Sequence, residues 1–369
     1  MFARSATRAA AASFTSTSVP VDLSKDVTLA SPPEDSISSL SFSPKANYLA
    51  VGSWDSQVRV YDVAEAATGV GKAVIGFDGP VLSCGWSLDG TKVAGAGTDG
   101  TARLLDLAAN GAPPRQIAVH SAPIKSMAFF EAPGSNAPMV VTGSWDKTIK
   151  YWDLRTELPV ATADCKERVY SLDVNEDVMV VATAGEKICL VDLKNPGLIT
   201  DFRPSSLTSQ TRVVKVSRDR KAFVVGGIEG RVAYQTIDLK DTKANFSFKC
   251  HRQEVATKTT EIYAVNALCI HPIHGSLATA GADCRLNTWD VAAKVRLGSS
   301  SGVGGQISAA GFNGDGSILA YAVSYDWSKG YGFNTPETVK KVMLHPVSEE
   351  EVKPRASKVT VASTSRKRY

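Results

Sequence analysis

The sequence predicts an all-β fold, a seven-bladed β-propeller closed by an N-terminal strand. Three observations predict it. A unit of alternating strand, turn acid and aromatic or aliphatic residue plus Asp recurs along the chain. The turn acids Asp55, Asp99 and Asp146 are 44 and 47 residues apart, close to the period of a propeller blade. Strand openings near Ile37, Val81, Ile124, Val169, Val213, Val265 and Ile307 make seven units.

The clearest copies of the unit run Ala50-Val-Gly-Ser-Trp-Asp-Ser-Gln-Val-Arg-Val-Tyr-Asp62 and Val141-Thr-Gly-Ser-Trp-Asp-Lys-Thr-Ile-Lys-Tyr-Trp-Asp153. Further copies span 94–106 and 278–290, and weaker ones 182–192 and 225–234. Ahead of each lies a strand such as Ile37-Ser-Ser-Leu-Ser-Phe42 or Ile124-Lys-Ser-Met-Ala-Phe129, whose period-2 alternation marks a half-buried antiparallel strand. One four-stranded blade cannot bury both of its faces, so the blades must stack radially, and closing the ring protects their edges. After Asp326 only one strand remains, around 339–344, which leaves the seventh blade without its outermost strand. Asp26-Val-Thr-Leu29 is expected to fill that place.

Among the 369 residues, 43% are hydrophobic and 29 are glycine, a composition suited to a large core with many turns. No apolar run approaches the roughly 18 residues that span a bilayer, which argues against membrane insertion. The net charge of +4 is unevenly placed. Arg4 and Arg8 near one end, with Lys353, Arg355, Lys358, Arg366, Lys367 and Arg368 near the other, total about +8 and leave about −4 in the body. Nucleic-acid contact must therefore come from a local patch or the tails. Six dispersed cysteines without a C-x-x-C pair indicate reduced thiols rather than zinc. The expected organisation is a leader at 1–24, the propeller at 25–347 and a basic tail at 348–369. The first twenty residues are rich in Ala, Ser and Thr, a composition that organellar transit peptides share, and are read as disordered.

The units resemble the WD-repeat family. Ser31-Pro-Pro-Glu-Asp-Ser-Ile-Ser38, the two Gly-Ser-Trp-Asp turns, Gly227-Ile-Glu-Gly-Arg-Val232, Phe246-Ser-Phe-Lys-Cys-His-Arg252 and Ile262-Tyr-Ala-Val-Asn266 occur together, as do His271-Pro-Ile-His-Gly275 and Ser324-Tyr-Asp-Trp-Ser-Lys-Gly330. Over residues 25–355 this set resembles the mRNA export factors of the Rae/Gle type, propellers associated with the nuclear pore complex. The sibling mitotic-checkpoint propellers share several of the segments. The Tyr-Asp-Trp-Ser-Lys-Gly segment and Glu349-Glu-Glu-Val-Lys-Pro-Arg355 favour the export branch. The resemblance implies docking onto a GLEBS segment, a short acidic and apolar peptide of an FG nucleoporin, together with RNA or ribonucleoprotein association. It also implies residence in the nucleus and at the nuclear envelope, shuttling to the cytoplasm, and a link to mitotic checkpoint or spindle proteins. The rival reading is a checkpoint propeller that binds GLEBS-like segments of mitotic kinases.

The residues before the turn acids, Trp54, Thr98, Trp145, Gly185, Ile228, Ala282 and Tyr325, should occupy equivalent positions on one face of the ring. Trp54 and Trp145 at turn tips are candidate peptide contacts, with Ile228 and Tyr325, because exposed tryptophans concentrate at binding hot spots. The alternative is packing on a neighbouring loop. Arg231, the anchor that the resemblance implies for GLEBS glutamates, could pair bidentately with a carboxylate or instead with Glu229. Lys249 completes the peptide set. Arg212, Lys215, Arg218, Arg220, Lys221 and Arg252 form a candidate RNA patch, against the alternative of a solvated face. Asp55, Asp99, Asp146 and Asp283 repeat with the fold and read as turn-tightening groups rather than catalytic ones. His271 and His274 span a Pro-containing turn and read as structural. No phosphate loop, nucleophile elbow or zinc-protease signature is present, so neither an enzyme nor a cofactor is expected.

Overall fold

The computed structural model describes residues 10–14, 18–64, 69–109 and 111–354. Seven antiparallel sheets are arranged in a ring, opening on Ile37, Val81, Ile124, Val169, Thr211, Val265 and Ile307. Blade 5 thus begins at Thr211, two residues ahead of the Val213 expected. Each innermost strand packs on the next, and the seventh packs on the first, so the ring is closed.

Second strands are buried on both faces, as in Tyr48–Ser53 and Lys92–Gly97. Such strands read as unbroken small and apolar runs rather than alternating ones. Close approach of the blades sets residue size. A Cβ on Gly95 would stand 2.5 Å from Val58 of the preceding blade, so only glycine fits there.

Two blades carry a hydrogen-bonded chain from loop to strand. His120 Nδ1 meets Asp146 at 2.8 Å, its Nε2 meets Thr142 Oγ1 at 2.8 Å, and Trp152 Nε1 donates to the same hydroxyl at 2.8 Å. His251, Asp283, Thr279 and Trp289 repeat this at 2.7, 2.8 and 3.1 Å. Burial lowers the His120 pKa, keeping the ring neutral despite its aspartate. Burial would raise Asp146, but hydrogen bonds from Thr148 and His120 outweigh it and hold the carboxyl at about 2. The recurrent turn acid is therefore structural. It ties the loop entering a blade to that blade's turn between second and third strands.

Every innermost strand also bulges at its second residue: Ser38, Leu82, Lys125, Tyr170, Arg212, Asn266 and Ser308. These seven residues ring one mouth of the central channel. Ser38 Oγ donates to Val81 O at 2.6 Å, Asn266 Nδ2 to Ile307 O at 3.0 Å and Ser308 Oγ to Ile37 O at 2.7 Å. In each case the bulge side chain caps the first carbonyl of the next blade.

The seventh blade comprises Ile307–Phe312, Ile318–Val323, Lys341–Pro346 and, antiparallel at its outer edge, the N-terminal Val27–Thr28. Next to this junction His345 is buried between two carboxylates. Its Nδ1 is 2.6 Å from Asp26, and its Nε2 is 2.9 Å from Glu351 of the short helix Glu349–Val352. Burial disfavours the charged imidazole, yet the bonds to Asp26 and Glu351 outweigh it and raise the pKa to about 9.

The expected disordered leader is corrected where it is described. Ala10–Ala11 adds a parallel fifth strand to blade 5, and Val19–Val21 does the same on blade 6. Open outer edges offer unpaired backbone groups, and the leader pairs with them. Arg4, Arg8 and the tail bases from Arg355 onward lie outside the described residues.

Because the folded pKa of His345 exceeds the ordinary value near 6.5, its stabilising contribution is full below about pH 6.5 and is lost as pH rises through about 9. His345→Gln should lower unfolding free energy by about 3 kcal/mol at pH 6, with the gap to wild type shrinking toward pH 10. Denaturant unfolding at both pH values checks this, and a gap independent of pH would contradict the charged His345.

Candidate functional site

The mouth of the bulge ring and the turns between second and third strands share one face. Ile124 pairs with Ser144, and the Trp145 backbone N–H donates to Pro123 O at 3.0 Å. Thr211 pairs with Gly227, and the Ile228 N–H donates to Gln210 O at 3.1 Å. Each turn residue thus sits just outboard of the start of its own innermost strand. Among the equivalent positions, Trp145 and Ile228 are open to solvent, at 37% and 39% exposure. Gly185 of blade 4, between them in ring order, carries no side chain.

Trp54 is half-buried, its ring stacked 3.9 Å from that of Trp327. Neighbouring-loop packing, the alternative weighed for the turn tryptophans, is what this one adopts. Tyr325 does not fit the exposed role expected of it. Its side chain is buried at 7% exposure, and its hydroxyl donates to Gly330 O at 3.0 Å and accepts from Lys329 N at 2.8 Å. The cause is local. In blade 7 the second-to-third connection is not a tight turn but a long loop over 324–340 that folds back over Tyr325. This loop holds Tyr331 and Phe333 out to solvent instead, at 87% and 58%. Reading the copies as uniform turns missed these two residues and Trp327. A spacing of acid to following strand longer than in the other blades was the available signal.

Arg231 opens the third strand of blade 5 and pairs in register with Lys249 on the outer strand. The Glu229 partner considered from sequence is taken up elsewhere, accepting from Thr208 Oγ1 at 2.9 Å. Arg231 Nη1 donates to Ser247 Oγ at 3.3 Å, and Arg231 forms no ion pair with a carboxylate among the described residues. Burial, and next the Arg231 guanidinium, lower the pKa of Arg252, so this rim is locally cationic. A cleft of about 460 Å³ joins Arg231 to Phe248, Lys249, Trp289 and Arg296, with Ala11–Phe14 of the leader forming its wall. Phe14 lies 4.2 Å from the Phe248 ring and edge-on to Trp289 at 5.4 Å.

Residues 27–62, 71–106 and 111–153 match the WD domain, G-beta repeat. Each match begins on or just before the outer strand of one blade and ends on the third strand of the next. The chain is 50% identical to the mRNA export factor GLE2 of Chaetomium thermophilum over 93% of this chain and 96% of that protein. It is 46% identical to the poly(A)+ RNA export protein of Schizosaccharomyces pombe over 91% and 95%. The WD40 repeat protein poxJ of Penicillium oxalicum is 49% identical over 90% and 96%. The chain belongs to the mRNA export factor family of WD-repeat propellers.

In this member of the export factor family the six bases of the sequence-derived RNA patch are not brought together. Arg212 lies at the channel mouth, and Lys215, farther along the same innermost strand, is paired with Asp173 at 2.6 Å. Arg218, Arg220 and Lys221 sit in the turn between first and second strands, on the opposite face. There Arg218 is hydrogen-bonded to Ile273 O, and Arg220 is paired with Glu176. Arg252 reaches back to the carbonyls of Glu229 and Gly230 at 2.7 and 3.2 Å. A strand of six residues spans roughly 20 Å, so a run of bases along one is spread over the height of the ring.

Other expectations concern groups held by the fold. His271 accepts from the backbone N–H groups of Ile273 and His274, at 3.2 and 3.1 Å, and its Nε2 meets Gly316 O at 3.2 Å. No cluster with metal-binding composition occurs among the described residues. All six cysteines are free thiols. No helix of the described chain is long and apolar enough to cross a membrane.

Exposure separates surface from scaffold. Trp145→Ala should change unfolding free energy by no more than about 1 kcal/mol, whereas Tyr325→Ala should cost about 3 kcal/mol or more. Equal losses in parallel thermal melts would show that Trp145 belongs to the core.

Proposed function

We propose that this chain is a non-enzymatic scaffold of nuclear messenger RNA export, which docks a GLEBS-type peptide of an FG nucleoporin. The names of its relatives support the export role. The observation that carries the docking is Arg231, a cation without a carboxylate partner among the described residues, at the rim of the face that exposes Trp145 and Ile228. Lys249 beside it in register adds a second positive group, and Trp54 contributes the edge of an indole already braced by Trp327.

The chemistry is that of a platform. Loops tied to blades by the histidine–aspartate chains are ordered before a ligand arrives, so the entropic cost of binding falls on the peptide alone. Apolar side chains of the peptide cover Trp145 and Ile228, and a peptide carboxylate accepts both N–H groups of the Arg231 fork. A peptide entering the cleft beside Arg231 shares that space with Phe14 or displaces it. The working place of such a scaffold is the nucleus and the nuclear pore, with passage to the cytoplasm. RNA enters as cargo of the assembly, through contacts other than the six dispersed bases.

Arg231→Glu should weaken capture of a GLEBS peptide at least 100-fold, with thermal unfolding within about 0.5 kcal/mol of wild type. An unaltered calorimetric titration would remove the anchor role. Affinity capture from extract that recovers mitotic kinases and no nucleoporin would favour the checkpoint branch instead.

A further inference from the structure

Two blade edges carry the leader, and they hold it differently. On blade 6, Val19–Val21 pairs over three residues with Gly298, Ser299 and Ser300, and Val21 is buried. On blade 5, Ala10–Ala11 pairs with Phe246 and Ser247 only, and both alanines are exposed. The Ala12 N–H adds a bond to Ser247 O at 2.8 Å. Past that bond the chain alternates as an edge strand does. Ala12 and Phe14 are half-buried against Phe246, Phe248 and Trp289, and Ser13 between them is exposed. Phe14 is the one large side chain of the segment 10–14, and its ring also lies 6.2 Å from that of Phe246.

The leader is an incomplete ligand for the place it occupies. It gives the blade backbone hydrogen bonds and one aromatic ring but no carboxylate, since the first acid of the chain is Asp22. The cleft it enters is lined by Arg231 and Lys249, and neither is ion-paired among the described residues. Ser247 links the two halves of the site: its backbone pairs with the leader, and its hydroxyl accepts from Arg231. About 460 Å³ of the cleft stays open beside Phe14, so an incoming segment can engage the cations before the leader has left. A strand that brings a large apolar side chain and a carboxylate makes every contact the leader makes, and an ion pair besides.

We propose that the outer edge of blade 5, with its cleft, is a strand-docking site whose resident ligand is leader residues 10–14, and that an acidic and apolar peptide bound at Arg231 takes their place. This rests on the docking reading above and adds a built-in competitor to it. The two contacts on blade 6 and blade 5 divide the work. Only four residues separate Phe14 from Val19, which blade 6 retains. A released leader therefore stays at high local concentration and returns when the peptide departs. The same tether favours the chain's own leader over that of a second copy, which must reach the edge from solution.

Calorimetric titration of the full chain with a synthetic GLEBS-type peptide tests the exchange on wild type, F14A and F14Y, with hydrogen exchange at the Ala12 amide as a second readout. A docked leader lowers the apparent affinity of the peptide by the fraction of molecules whose edge is vacant, so F14A should bind about 10-fold more tightly than wild type. F14Y keeps the ring and should bind within about 2-fold of wild type. Peptide binding should speed Ala12 exchange in wild type about 10-fold, to the rate that F14A shows without peptide. A Phe14 that only stabilised the fold would not move that amide. Equal or weaker binding by F14A, or an Ala12 amide as protected in the complex as before, would overturn this inference; loss of binding in Arg231→Glu would then leave the docking reading intact. No peptide binding by wild type or F14A would overturn both. A wild-type dimer in sedimentation that F14A dissociates would seat the leader on a second copy and overturn its assignment to one chain.

Discussion

The pairing of Val27–Thr28 with Lys341–Pro346 is the contact on which the other geometry rests. It joins the start of the propeller to its end, so no blade keeps an open route for sliding out of the ring. The sequence repeat is offset from the blade: each takes in one blade's outer strand and continues through three strands of the next. Every blade is therefore stitched to its neighbour by covalent chain, and the last junction is made only by hydrogen bonds and side chains. His345 between Asp26 and Glu351 supplies charge to that junction and draws in the start of the C-terminal segment.

A closed ring gives a face whose parts do not move relative to one another, and this matters more for recognition than any single residue there. Trp145 and Ile228 stand on turns whose acids or neighbours bond back to the entering loops, as Asp146 does to His120 and Glu229 to Thr208. The recurrent turn carboxylates are spent on this bracing rather than left free for catalysis. The groups left over are apolar side chains and cations, and they are what a largely acidic and apolar ligand needs. The leader complicates the picture in a useful way. Ala10–Ala11 and Phe14 occupy the outer edge and cleft of blade 5, next to Arg231, so the chain itself shows that this edge accepts an added strand and a half-buried aromatic.

Function in such a fold resides where one copy differs from the others. The bulge position is serine or asparagine where the ring only needs a carbonyl capped, and lysine or arginine where blades 3 and 5 leave charge at the mouth. The blade 7 connection is long where the others are short, which buries Tyr325 and puts Tyr331 and Phe333 outside.

The sequence alone determined the number of blades, the closing strand and the identity of the turn positions, because periodicity and turn chemistry act over a few residues and repeat. It also marked Trp145, Ile228 and Arg231, since an apolar or cationic residue at a turn is legible without knowing its neighbours. Only the tertiary structure decided that Trp54 stacks on Trp327, that Tyr325 is covered, and that six bases close in sequence divide between channel, rim and opposite face. Burial and charge pairing depend on which segments the ring brings together, and a strand pattern carries no information about what stands across the channel.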